Sequence, residues 1–440
     1  MLSACVISSA APSRLPLGAH MAAEGIQQLQ AGDRERAQRS YAEASTQANS
    51  WQCWTNLAAL ALGLEDFEAA LANARKAIVI DPGHADAWVN AGVASWRKGA
   101  RKDGARLMAH ALQLAPAHAT AAINYSYMLR TVERLREAHE VLAGARSRGA
   151  RTPGVLRAMA ELERILERSG ECRANALEAL RILAGNPWPP PVTGTLSARV
   201  AFDAATWRGV LVDCLRRLAP LHCDPCMAGG TVRMFAFEGG LPAARKDIDI
   251  VIDARVSHEL LRQAFAQGYR PFSRQGQLVP GSGGIGVLGL VHEASNIPID
   301  LMLQDRANGR WRGSFGAPDH LVFDTPAFSI ESVACAGIEV PLPVPQPMHE
   351  YLRWFYGDDW TQPTQAVAGR AVPREYVQKG MHCPALDPGS RPAALNRALL
   401  SLLTALHEGW VEMAAALCWQ ILAMEPLDEV QRVQARLSQA

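Results

Sequence analysis

Asp247 and Asp249 stand two apart in the run Lys246-Asp247-Ile248-Asp249-Ile250, and this spacing carries the first hint of chemistry. Residues two apart in an extended strand share a face. The two carboxylates therefore project together, while Ile248, Ile250 and Ile252 turn toward a core. Carboxylates held side by side repel, and one is driven to take up a proton unless a cation sits between them. Oxygen-only ligands of this kind suit Mg2+ or Mn2+, which bind carboxylates together with substrate phosphates. Asp300, in Ile299-Asp300-Leu301, recurs in a strand of the same kind and is expected to turn toward the other two. It would serve either as a third ligand or as a base. Just upstream, Gly229-Gly230-Thr231 opens a short apolar helix that Gly239-Gly240 closes. A helix start offers backbone N–H groups and a positive dipole end to a phosphate.

Other candidate groups read more plainly. Gly281-Ser282-Gly283-Gly284, with Gly286 and Gly289, has neither a P-loop lysine nor dinucleotide-binding spacing. It is expected to be a hairpin turn between Gln277–Val279 and Ile285–Val291. Cys223-Asp224-Pro225-Cys226 is a lone pair without the second pair that a structural zinc needs. Arg306, Arg310 and Arg312 form either a solvated basic loop or a set of phosphate contacts.

The elements that must position these groups follow from apolar periodicity. Val210, Leu211, Cys214, Leu215 and Leu218 mark one side of a helix near 204–218. The Asp-x-Asp strand precedes a helix at 256–267, and Ile297–Leu303 forms a third key strand, which together imply a mixed α/β sheet. Residues 21–186 read as a helical repeat: Trp54 and Trp88, Ala77 and Ala111, and Pro82 and Pro116 are each 34 residues apart. Small residues (Ala58 and Ala70; Gly92 and Gly104) fall where paired helices cross closely. This resembles the tetratricopeptide pattern, an all-α solenoid whose units bury their apolar faces only against neighbours. Such arrays usually bind a partner protein or peptide. Residues 151–186 add a capping helix pair, and Asn186-Pro187-Trp188-Pro189-Pro190-Pro191 then breaks the helix. Near the C-terminus, Gly409, Ala414 and Pro426 repeat the spacings of Gly99, Gly104 and Pro116, which predicts one more helix pair docked within this chain or on a partner.

The Gly-Gly-Thr turn, the Asp-Ile-Asp strand, Ile299-Asp300-Leu301 and a closing Tyr356-Gly357-Asp358-Asp359-Trp360 with Pro363 together resemble the LicD/fukutin group of nucleotidyltransferase-fold phosphotransferases. The likeness covers roughly 205–365. It implies a metal-dependent enzyme moving a phospho-substituent, of the phosphocholine or alditol phosphate class, from a CDP-linked donor to a glycan-like acceptor. Asp247, Asp249 and Asp300 would be catalytic and metal-binding, and Gly229, Gly230 and Thr231 would contact substrate. The chain departs from the pattern at Phe237, where the family carries Arg, and at Ala243-Ala244-Arg245-Lys246, where it carries Pro-Trp-Asp. Arg245 and Lys246 are the positive charges that would take over the lost phosphate contact. A non-catalytic scaffold and a nucleotide-adding enzyme stand as alternatives.

The expected organisation is a tail (1–20), a tetratricopeptide solenoid (21–186), a linker (187–204), the nucleotidyltransferase-like domain (205–365), and a connector with a helix pair (366–440). At 440 residues the chain has room for these cores. A formal net charge of +1 gives no basis for general nucleic-acid binding. No apolar run reaches the length of a membrane span. Nine cysteines without regular spacing point to a reducing, cytoplasmic setting.

Overall fold

The computed structural model describes residues 16–185, 202–238, 247–271, 285–307, 310–315, 321–335, 338–356, 365–367, 370–372 and 388–438. The chain divides into two compact units, Met1–Gly194 and Thr195–Ala440. The expected tail (1–15 of it), most of the linker, Gly239-Gly240, Gly281–Gly284, Arg245, Lys246 and Asp358-Asp359-Trp360 lie outside the described residues.

Unit one is built of α1 (Leu17–Gln30), α2 (Arg34–Thr46), α3 (Trp51–Gly63), α4 (Phe67–Ile80), α5 (Ala85–Arg97), α6 (Arg101–Leu114), α7 (Ala119–Thr131), α8 (Leu135–Ser147), α9 (Pro153–Ile165) and α10 (Ser169–Gly185). Successive helices pack as antiparallel hairpins, each also touching the next. The array starts at Leu17 rather than residue 21. Small residues sit at the closest crossings for a steric reason: a Cβ on Gly104 would lie 2.9 Å from the Gly92 carbonyl oxygen. The repeat has a conformational beat as well. Each hairpin turn uses one left-handed residue, at Gly32, Glu65, Gly99, Glu133 and Glu167. Buried asparagines tie neighbouring units together: Asn56 Nδ2 donates to Ala19 O (2.9 Å) and Asn90 Nδ2 to Thr55 O (3.1 Å). Trp54 and Trp88 are half-buried rather than central knobs. Trp88 Nε1 donates to Pro82 O across 2.9 Å, so this tryptophan fastens the turn between units.

Unit two opens with α11 (Ala204–Leu218), β1 (Cys226–Met227), α12 (Gly229–Glu238), β2 (Ile248–Asp253) and α13 (His258–Ala264). It continues through β3 (Tyr269–Pro271), β4 (Gly286–His292), β5 (Pro298–Ala307), β6 (Arg310–Phe315) and β7 (Leu321–Pro326). The sheet runs in the order β1-β2-β5-β4-β3, with β6 joining β5 and β7 joining β6. β2 and β5 are parallel, and the other described pairs of this sheet are antiparallel, giving the expected mixed sheet. β8 (Ser329–Val333) and β9 (Leu342–Gln346) form a separate ladder leading to α14 (Met348–Tyr356). The short pair β10 (Gln365–Val367) and β11 (Arg370–Val372) precedes α15 (Arg391–His407), α16 (Val411–Met424) and α17 (Asp428–Leu437).

Ile248, Ile250 and Ile252 of β2 and Ile299, Leu301 and Leu303 of β5 are fully buried in one core with Trp207, Leu211 and Leu218 of α11. The expected helix at 256–267 is shorter, and β4 pairs with β3 and β5, while the expected strand at 277–279 lies outside the described residues. Among the described residues the expected C-terminal pair, α15 and α16, is followed by a third helix, because Val430, Val433 and Leu437 of α17 supply one more buried stripe. They belong to the same compact unit as the sheet, and Val322 N–H of β7 donates to Ser390 Oγ (2.9 Å) at the start of α15.

Candidate carboxylate centre

Parallel pairing of β2 with β5 sets Asp249 directly beside Asp300. Asp247 lies just before β2, on the same alternation as Asp249. Each of the three offers a carboxylate oxygen within 4.8 Å of the others. Asp249 is buried, while Asp247 and Asp300 are partly open. The expected meeting of Asp247, Asp249 and Asp300 is therefore met by the fold. A divalent cation with oxygen ligands at about 2.1 Å spans about 4.2 Å between opposite oxygens. Neighbouring ligands of one ion lie about 3.0 Å apart, so rotation of the carboxylates would draw the three oxygens together, and the donor set is of the hard-oxygen kind that such an ion takes.

β1 delivers the glycine turn to this centre. Met227 pairs with Ile250, and Ala228 N–H donates to the Asp249 carbonyl at 3.0 Å. Gly229 follows with φ +50°, a left-handed conformation that a residue without Cβ adopts cheaply. Thr231 is buried in the first turn of α12. The turn is not the open donor cradle that its sequence suggests. Gly229 N–H donates to Tyr351 Oη (3.2 Å), and Thr231 and Val232 N–H both donate to Ala228 O (3.1 and 3.3 Å). The N–H groups of Gly229 and Thr231 are thus already used within the fold.

Tyr351, from α14, was missed as a site residue; its contact with Gly229 spans 122 residues of chain. Burial pushes its phenol upward in pKa, and the nearby Asp249 carboxylate adds to the effect. Its ring stands edge-on to Phe328, with centroids 5.3 Å apart. Behind it, Cys226, Met227, Val251, Gln304, Trp311, Phe323, Thr325, Tyr351 and Trp354 enclose a small cavity. Strand alternation puts Val251 and Gln304 on the sheet face that carries Asp249 and Asp300.

Two of the basic candidates, Arg306 and Arg312, are committed elsewhere. Arg306 Nη1 donates to Asp224 O (2.7 Å) while its guanidinium lies 4.5 Å over the Trp311 ring. Arg312 Nη1 donates to both Asp324 carboxylate oxygens, at 3.2 and 3.1 Å. The lone cysteine pair is core: burial pushes the Cys223 thiol to about 11 and the Cys226 thiol to about 12. Seven described cysteines carry free thiols, and no described helix is long and apolar enough to cross a membrane.

No family model matches the chain, and no curated protein matches it. Among solved structures, it is similar to a thermophilic TPR protein of Thermus thermophilus, at 19% identity and TM-score 0.33, over 37% of this chain and 90% of that one. It is similar to MamA at 16% identity and TM-score 0.29, over 36% of this chain and 92% of that one. It is also similar to Pseudomonas aeruginosa pilF, at 18% identity and TM-score 0.32, over 38% and 82% of the two chains.

Proposed function

We propose that unit two is a metal-dependent phosphotransferase and that the helical repeat binds a partner protein or peptide. One observation carries the catalytic reading: three carboxylates from Asp247, Asp249 and Asp300 gather within 4.8 Å. Bringing three negative groups together is costly unless a cation compensates them. A bound Mg2+ or Mn2+ would neutralise charge developing on phosphoryl oxygens. Asp247 and Asp249 hold that ion, and Asp300 either completes the ligand set or takes the proton of an acceptor hydroxyl. Gly229 and Thr231 shape the wall of the site rather than supply a row of open donors. The LicD/fukutin resemblance supplies the substrate class, a CDP-linked donor and a glycan-like acceptor.

The test is a panel of CDP-linked donors scored for CMP release with and without Mg2+. The reading expects metal-dependent CMP release that Asp249→Asn abolishes. Pyrophosphate release would replace it with nucleotide addition. Absence of both metal-dependent nucleotide binding and turnover would favour the second reading, a non-catalytic scaffold, which the spent N–H groups of Gly229 and Thr231 favour.

A further inference from the structure

Gln304 is 95% buried, and its Oε1 has no hydrogen-bond partner among the described residues. An amide oxygen left this way is costly to bury, so its surroundings bear on what it holds. It lines the cavity behind Tyr351, where about 10 Å3 is open to the centre of a water-sized sphere. One water needs about 10–15 Å3 by that measure, and two to four polar partners. Three polar side chains line the same small space: Gln304, Thr325 and Tyr351. Thr325 Oγ1 donates to Pro326 O (2.9 Å), which leaves its lone pairs as acceptors. Trp311, Phe323 and Trp354 supply apolar lining to the same space.

We propose that this cavity is a site for one ordered water that joins Gln304 Oε1 to the Tyr351 hydroxyl, and that Tyr351 so held is the positioning residue for the Gly229 turn. The water donates one hydrogen to Gln304 and bonds Tyr351 with the other or with a lone pair. Tyr351 Oη accepts the Gly229 N–H at 3.2 Å. Ala228, one residue earlier, bonds the Asp249 carbonyl. The relay therefore runs from the middle of β5, through a water and α14, to the turn beside the carboxylates. It stands whether or not unit two is catalytic.

The test uses the full chain and two readouts independent of turnover. A water held by two or more polar partners is ordered and gives a density peak, whereas a dry space gives none. Crystals of the unaltered protein should show a water peak behind Tyr351, and Gln304→Met should lose it. The second readout is hydrogen exchange of the Gly229 amide in glycine-15N-labelled protein. Tyr351→Phe, which removes the acceptor, should speed that exchange about tenfold. Gln304→Met should shift the Gly229 resonance and speed its exchange, and Gln304→Glu, which keeps an acceptor oxygen, should restore it. An empty space behind Tyr351 in the unaltered protein overturns the proposal, as does a Gly229 amide in Gln304→Met identical to that of the unaltered chain. Should Gln304→Met fail to fold, the presence or absence of the water peak in the unaltered protein decides alone.

Discussion

Replacing Asp249 with Asn removes one charge from the carboxylate centre at almost constant shape, and the consequence for stability should reverse with metal. Two ionised carboxylates at the 4.8 Å limit of this cluster repel by about 3.5 kcal/mol at an effective dielectric of about 20. Asp247 and Asp300 are partly open to water, and screening lowers the net relief to about 1–3 kcal/mol for the two pairs together. In EDTA, Asp249→Asn should therefore be the more stable protein, with unit two melting higher by about 2–4 °C for each kcal/mol. In excess Mg2+ the unaltered chain should gain stability by mass action, while the variant gains far less, so the order of the two melting temperatures crosses. The assay is thermal unfolding of both proteins across a Mg2+ titration, with a calorimetric scan to separate the units. A variant that is less stable in EDTA, or parallel Mg2+ responses in the two proteins, would refute the idea that these carboxylates form one electrostatic unit.

Three further outcomes are expected. Gly104→Ala forces a Cβ to 2.9 Å from Gly92 O and 3.0 Å from Trp96 N, and should cost about 1–3 kcal/mol in denaturant unfolding of unit one. Glu133→Gly relieves a non-glycine left-handed turn (φ +62°) and should stabilise the array by about 0.5–1 kcal/mol; a loss of stability would show that the Glu133 side chain matters more than its backbone. The Cys226 thiol, pushed to about 12 by burial, should resist alkylation at pH 8 until denaturant is added. Because the native state disfavours its thiolate, stability should be intact below about pH 8.5 and fall as pH rises toward 12, as proton-release calorimetry can follow.

The parts of this molecule that were legible beforehand are those governed by a short period. Alternation by two put Asp249 and Asp300 on one face, and the spacing of Pro82 and Pro116 laid out the hairpins. What escaped depends on distant partners. Tyr351 reads as an ordinary aromatic until the fold carries α14 to Gly229. The glycine turn looks like a free anion cradle until Tyr351 and Ala228 O take its N–H groups. The 34-residue spacing marks Trp88 as a repeat position without telling its role: its indole N–H needs an acceptor, and Pro82 O supplies one near the surface. The third C-terminal helix was a missed signal, since Val430, Val433 and Leu437 already carry helical spacing.

The parallel union of β2 and β5 has a consequence for how the protein is made. A parallel pair cannot close through a tight turn, and here α13, β3 and β4 lie between the two strands. A ribosome extending the chain therefore releases Asp247 and Asp249 well before Asp300 exists to join them. During that interval the nascent polypeptide holds only a carboxylate pair, a weak chelator in an unpaired segment. On the proposed reading, ion capture would become strong only once β5 has slotted between β2 and β4, so the carboxylate centre is assembled by a long-range closure of the kind that slows folding. Fragments ending before residue 298 should accordingly bind divalent cations no better than an unstructured acidic peptide.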